Sequence, residues 1–425
     1  MDTLTAARAQ MEVSLAFHMV FAALGIGMPL LMVLAEGLWL RTGRAHYRAL
    51  ARKWAKATAL TFAVGAVSGT ALSFELGLLW PRFMALAGPA IGPAFALEGY
   101  AFFVEAIFLG LYLYGWERLS PRAHWWAGVA VAASGMASGV LVVAANAWMQ
   151  GPAGMDPLAA FRSPAWPQMA LHSTLSCYVA TGFAAAGVYA AGMLRGRRDA
   201  YHRSALTLAL AVGTVAAVLQ PVSGDLSARH VARHQPAKLA AMEAHFRTER
   251  GAALVIGGIP DVEAGTVRGA LRVPKLLSLL AHGDPDAEVT GLEDIPADER
   301  PNVVIAHFAF QVMVGSGLAL VALGAWFWLA RRRGREPGRW LLRALLAGSP
   351  LGFLALQAGW IVTEVGRQPW VVRGVMRTRD GVTPVAEVPA TLIGFSLLYL
   401  ALGTALALLL RRLATGAPEE AADAP

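Results

Sequence analysis

A few side chains stand out because an apolar sequence would not carry them without a use. His18 lies in SLAFHMVF, Glu98 and Glu105 in ALEGYAFFVEAIF, and His172 in QMALHSTLSCY. Met313 lies in FQVMVG, and Trp360 and Glu364 in GWIVTEVGRQPW. Ionisable or ligating groups inside a membrane are costly, so each is a functional candidate by default. Glu98 and Glu105 are seven residues apart, two helical turns on one face with a rise of about 10 Å, and two carboxylates in file suit a proton relay. Trp360 and Glu364, four apart, also share a face. Plainer readings compete: a lone histidine near a helix end is usually a hydrogen-bonded packing residue, and a single methionine is usually core filler. His18 and His172 lack the paired histidines that a b-type electron-transfer subunit usually places on its helices. Glu36 and Glu75 have no evident partner and receive no role. The single cysteine, Cys177, excludes an internal disulfide framework, a CxxC redox pair, a thiolate zinc site and a c-type haem attachment. These residues alone support a polytopic redox or proton-handling protein, with a haem-free proton-coupled transporter as the competing class.

The elements that must position them are membrane helices. With 425 residues, 56% hydrophobic and 15% charged, and a mean hydropathy of +0.50, the chain is no soluble globule. Apolar runs of about 20 residues, enough to cross the hydrocarbon, lie near 12–40, 57–80, 94–115, 125–148, 168–194, 204–222, 302–330, 341–363 and 388–410. An all-α protein with nine transmembrane helices is predicted. The net charge of +8 does not imply nucleic acid, because the arginines sit between apolar runs rather than on a face with aromatic readers. They mark every second connection: Arg41 to Lys56, Arg118 and Arg122, Arg195 to Arg203, Arg331 to Arg343, then Arg411 and Arg412. Basic loops stay cytoplasmic, which predicts the N-terminus outside and the C-terminus inside. The first run is too long for a cleavable signal and carries a histidine. The chain therefore divides into helices one to six (1–222), an external loop (223–301), and helices seven to nine with a short acidic tail (302–425). Lys238 and Glu243 lie in the loop in AKLAAMEA, which is predicted to form a short helix whose charges, on pattern alone, are ordinary surface charges.

Several motifs in order carry a resemblance over nearly the whole chain: AFHMVF, LEGYAFFVEAIFLGLYLYGWERL, ANAWMQGP, LHS, AKLAAMEA, FQVMVG and, most specific, GRQPW from Gly366 to Trp370. The sequence resembles subunit I of the cytochrome bd-type quinol oxidases, whose nine helices form mainly two four-helix bundles. The resemblance implies three haems, two haem b and one haem d, or haem b in all three sites. His172 and Met313 match the axial ligands of the low-spin haem, His18 the ligand of one high-spin haem, and Glu364 the ligand of the other. Glu98 matches the carboxylate near the His18 site, a candidate sixth ligand. The helix bearing Glu364 then ends in polar residues because it holds an iron. Arg367 is a countercharge or propionate partner, and Trp360 a haem contact. Glu105, Ser138 and Glu98 read as an inward proton route, and Lys238 and Glu243 as the quinol-oxidising site. The implied reaction oxidises two quinols outside and reduces oxygen to two waters with cytoplasmic protons. A second membrane subunit is implied, with a small single-helix subunit as a further candidate partner, in the bacterial cytoplasmic membrane. The compact loop, and Gln311 where many members carry arginine, are similar to the cyanide-insensitive branch, in which haem b can replace haem d.

Overall fold

Without water, each backbone amide in the membrane must be satisfied inside its own segment, and this chain does so with helices. The computed structural model describes residues 2–152 and 154–416; the acidic tail beyond Gly416 lies outside the described residues. Its helices are α1 (Thr3–Thr42), α2 (Ala45–Leu79), α3 (Pro81–Tyr114), α4 (Pro121–Gln150), α5 (Trp166–Leu194) and α6 (Ala200–His234). There follow α7 (Pro236–Met242), α8 (Leu276–His282), α9 (Val303–Arg332), α10 (Arg339–Gly348), α11 (Leu351–Val365), α12 (Thr378–Gly381) and α13 (Val388–Thr415). Nine stretches among the described residues are long and apolar enough to cross a membrane, α10 and α11 counting as one. Capping residues set several starts: the side chains of Asp2, Ser120, Asp199 and Asn302 accept from the amides of Thr5, Ala123, His202 and Ile305.

The helices overrun the apolar segments from which they are predicted. The second begins at Ala45, so Arg48, Arg52, Lys53 and Lys56 sit on its first turns rather than in a connection. The third begins at Pro81 and runs through Pro89 and Pro93. The sixth continues past Pro221 to His234, so the irregular part of the loop starts near 235 rather than 223. The eighth is divided at Ser349 and Pro350; Pro350 has no amide to donate to the preceding turn.

Turns at one end interlock through their charges. Arg48 and Arg52 both reach Glu117, at 3.1 and 2.9 Å, joining the α1–α2 and α3–α4 turns. Arg203 pairs with Glu336 at 3.4 Å, and Lys53 donates to the Gly416 carbonyl at 3.0 Å. This end is termed the basic face. The opposite loop face carries β1 (Glu249–Arg250), β2 (Leu254–Ile256), β3 (Ile259–Asp261), β4 (Thr266–Arg268), β5 (Leu271–Val273), β6 (Glu288–Val289), β7 (Trp370–Val372) and β8 (Met376–Arg377). They pair antiparallel as β1–β6, β2–β5, β3–β4 and β7–β8. These short pairs decorate an all-α protein.

Between helices, small residues allow backbone contact. A Cβ added at Gly182 of α5 would lie 2.6 Å from Gly213 Cα of α6, so any side chain there would force the pair apart. The main core joins α1, α2, α5, α6, α9 and α10 around Leu31, Leu50, Phe183, Leu210 and Leu320. A second, around Phe83, Ile91, Trp148 and Val372, closes the loop-face end of α1, α3 and α4.

Candidate functional site

Two histidines are preset by serines on neighbouring helices. Ser68 Oγ of α2 lies 3.0 Å from His18 Nδ1, and Ser223 Oγ of α6 lies 2.9 Å from His172 Nδ1. Each hydroxyl already donates to a carbonyl of its own helix, Ser68 to Val64 at 2.9 Å and Ser223 to Gln220 at 2.9 Å. A hydroxyl has one proton; with that proton on the helix carbonyl, each serine accepts from Nδ1–H. That leaves Nε2 as the basic nitrogen on both rings, the arrangement in which a histidine can hold a metal. In His172 this nitrogen takes a hydrogen bond from the Gln220 amide at 3.1 Å. Met313 of α9 presents its sulfur to Gly359 of α11, where an added Cβ would lie 3.0 Å from it. A thioether and an imidazole that carries its lone pair on Nε2 are donor types able to hold a haem iron. Sequence reasoning missed Ser68 and Ser223, because serine in a helix carries no spacing signal.

Along the α3–α4 contact, Ser138 donates to Glu98 Oε1 at 3.1 Å. Glu105, one heptad further, is 5% exposed, faces Gly135 across the contact, and leaves Oε1 without a partner among the described residues. Glu36 and Glu75, given no partner above, both have one. Glu36 Oε1 lies 2.7 Å from His124 Nδ1, whose Nε2 donates to the Tyr112 carbonyl at 2.8 Å. Glu75 accepts from Gln10 at 3.1 Å. These partners are remote in sequence and invisible to local spacing.

The end of α11 joins the loop in one network. Glu364 accepts from Asn146 Nδ2 at 2.6 Å and from the Arg367 guanidinium. Gln150 donates to Asn146 Oδ1 at 3.1 Å and accepts from Lys238 Nζ. Lys238 lies against Gly366, where any Cβ would come within 2.7 Å of its Cγ. Arg367 is buried, and its Nε and Nη1 have no partner among the described residues, so it has capacity for a further anion. Trp360 packs against the cluster of Ala23, Ile26, Cys177 and Leu356.

Lys238 and Glu243 are not the solvated surface charges that pattern alone suggests: both are buried, at 5% and 4% exposure. Glu243 caps the C-terminal end of α7, with its Oε2 unpartnered among the described residues. Burial pushes its carboxyl up to about 8. Burial, reinforced by the Arg367 charge, pulls the Lys238 ammonium down to about 7. His307, fully buried on α9, holds the Met242 carbonyl at 3.1 Å, and Gln311 one turn on bonds both Gly257 N (3.0 Å) and Val255 O (3.1 Å). Gln311 therefore clamps the loop to the helix that bears Met313. The network gathers Glu364, Arg367 and Lys238, and Ser138 meets Glu98. His18, His172 and Met313 remain separate, and no ion pair joins Glu243 to Lys238 among the described residues.

Residues 6–418 match the sequence model of the family described as cytochrome bd terminal oxidase subunit I. A Bacillus subtilis (strain 168) protein bearing the provisional name cytochrome bd menaquinol oxidase subunit I is 36% identical over 422 residues, covering 95% of each chain. The cytochrome bd ubiquinol oxidase subunit 1 of the same organism is 31% identical, covering 99% of this chain and 95% of its own length. Among solved structures, the bd oxidase from Geobacillus thermodenitrificans superposes with a TM-score of 0.92 at 40% identity, over 97% of this chain and 98% of that one.

Proposed function

This chain belongs to the cytochrome bd terminal oxidase subunit I family, and we propose that it is the haem-bearing, quinol-oxidising subunit of an oxidase that reduces oxygen to water. It is a multi-pass protein of the bacterial inner membrane, and the basic face is assigned to the cytoplasm by its arginines. The observation that carries the reading is the pair of half-buried imidazoles with serine-fixed Nε2 lone pairs. The family match over residues 6–418 speaks against a haem-free proton-coupled transporter.

Three haems are proposed, two haem b and one haem d or haem b throughout; bound, they supply one-electron transfer and the iron that takes oxygen. His172 and Met313 would hold the low-spin haem, His18 one high-spin haem with Glu98 as candidate sixth ligand, and Glu364 the other. The unpartnered N–H groups of Arg367 suit a propionate, and Trp360 would lie beside the Glu364 site. In the loop, Glu243 accepts a quinol proton and Lys238 hydrogen-bonds the ring oxygen, so the quinol site is placed at α7 and its surroundings within 223–301. Protons for water enter from the basic face through Glu105, Ser138 and Glu98. A second membrane subunit completes the enzyme, and a small single-helix subunit is a further proposed partner. The clamp made by Gln311 supports the reading of a compact loop like that of the cyanide-insensitive branch.

A visible spectrum of the dithionite-reduced membrane protein, with pyridine extraction, tests the haem reading at once; absence of haem bands would favour the transporter. A sharper test is Met313→Leu. The swap nearly conserves volume, so the fold should lose less than about 1.5 kcal/mol. With the sulfur gone, the low-spin band should shift or vanish in the reduced-minus-oxidised spectrum. An unchanged band would remove Met313 from the ligand set.

A further inference from the structure

On the basic face, a cavity of about 420 Å³ opens where the end of α5 meets α2, α10 and the end of α13. Its rim carries Lys53, Arg195, Arg197 and Arg411. Its floor is apolar, formed by Ala184, Val188 and Ala191 of α5 with Leu346 of α10. Close by on this face, Arg48 and Arg52 are neutralised by Glu117 and Arg203 by Glu336. No carboxylate pairs with Arg195, Arg197 or Arg411 among the described residues. Among the described residues, Asp199 at the start of α6 is engaged with His202 at 2.9 Å.

The rim and the floor call for different chemistry. Unpaired guanidinium groups suit a phosphate, which they can take by bidentate hydrogen bonds. The floor has no use for a free ion. Val188 and Leu346 are 49% and 42% exposed and belong to membrane-crossing helices, so the cavity continues into an apolar helix surface. An amphiphile meets both demands, with its anionic head among the helix ends and its chain along α5 and α10. Basic pockets between membrane helices bind anionic headgroups in this way. We propose that this cavity is a binding site for the phosphate headgroup of an anionic membrane lipid. The proposal rests on the chain spanning a membrane and is independent of the haem assignments.

The test uses the purified oxidase complex in phosphatidylcholine nanodiscs, titrated with phosphatidylglycerol and read by native mass spectrometry. The cavity variant Arg195→Gln/Arg197→Gln/Arg411→Gln should bind phosphatidylglycerol about a hundredfold more weakly, at the roughly fivefold per cation expected near a membrane surface. A control with equal charge removed outside the cavity, Arg118→Gln/Arg122→Gln/Arg332→Gln, should retain binding. Haem absorption in both variants reports that the fold is intact. Inorganic phosphate, which offers the head without the chain, should not displace the lipid from the unmodified complex. Equal weakening in both variants would overturn the proposal in favour of diffuse attraction, and displacement by inorganic phosphate would overturn it in favour of a simple anion site.

Discussion

Glu105→Gln is expected to lower oxygen-reducing turnover by about a hundredfold, the lower end of what a positioned proton-transfer group contributes. Haem absorption should be unaffected. Glutamine matches glutamate in volume, and Gly135 opposite needs no rearrangement to accept it. What it cannot do is release and regain a proton. Glu105 lies behind Glu98 on the same face of α3, separated by two turns of about 10 Å. That gap is too long for one transfer, and Ser138, which donates to Glu98 at 3.1 Å, stands on the Glu98 side of it. Protons proposed to come from the basic face reach Glu105 first, so its loss starves every later step. Oxygen consumption with excess quinol, together with proton uptake followed by a pH dye in oriented vesicles, measures the effect. Glu105→Asp, which titrates but reaches less far, should fall between the two. Turnover and uptake equal to the unmodified enzyme in Glu105→Gln would move the proton route off α3.

What could be read from the sequence follows from the range of each physical signal. Hydropathy reports contact with hydrocarbon, so it found the membrane helices but not their ends. Residues 45–56 of α2 and 223–234 of α6 are helical beyond the apolar run, where water and lipid headgroups leave no apolar periodicity. Helical spacing placed Glu98 and Glu105 on one face because both belong to α3. It could not see Ser68 behind His18 or Ser223 behind His172, which lie 50 and 51 residues away. The pairing of Glu36 with His124, 88 residues apart, was hidden for the same reason. Lys238 and Glu243 show the limit most clearly. Their local pattern is that of a solvated helix, and only the fold brings the end of α4, Gly366 and α9 over α7 to bury them. Resemblance to a family singled these two residues out, and burial supplies the physical reason they could act on a quinol.

Glu243→Gln should reduce quinol oxidation by about a hundredfold and change its pH dependence, with haem absorption intact. Two protons must leave the quinol with its two electrons, and a carboxylate can take one only when ionised. Burial holds Glu243 at about 8, so at neutral pH most molecules carry the unreactive carboxylic acid. Lys238 at about 7 is an ammonium, able to donate to the ring oxygen, only on the acid side. The productive combination, ionised Glu243 with protonated Lys238, is therefore a minor form. Its population rises about tenfold per pH unit below about 7, is nearly level from about 7 to about 8, and falls above. Quinol oxidation by the unmodified enzyme should follow that profile. Glu243→Gln should lose the rising limb. Lys238→Met keeps the apolar stem against Gly366 and should be the milder lesion; its rising limb should extend to about 8 with no fall beyond. Initial rates of quinol oxidation across pH 5 to 10 distinguish these shapes, and an artificial donor that reduces the haems directly should support oxygen consumption in both variants. If either variant loses haem, or Glu243→Gln keeps the rising limb at the unmodified rate, the loop is structural and the quinol proton leaves by another group.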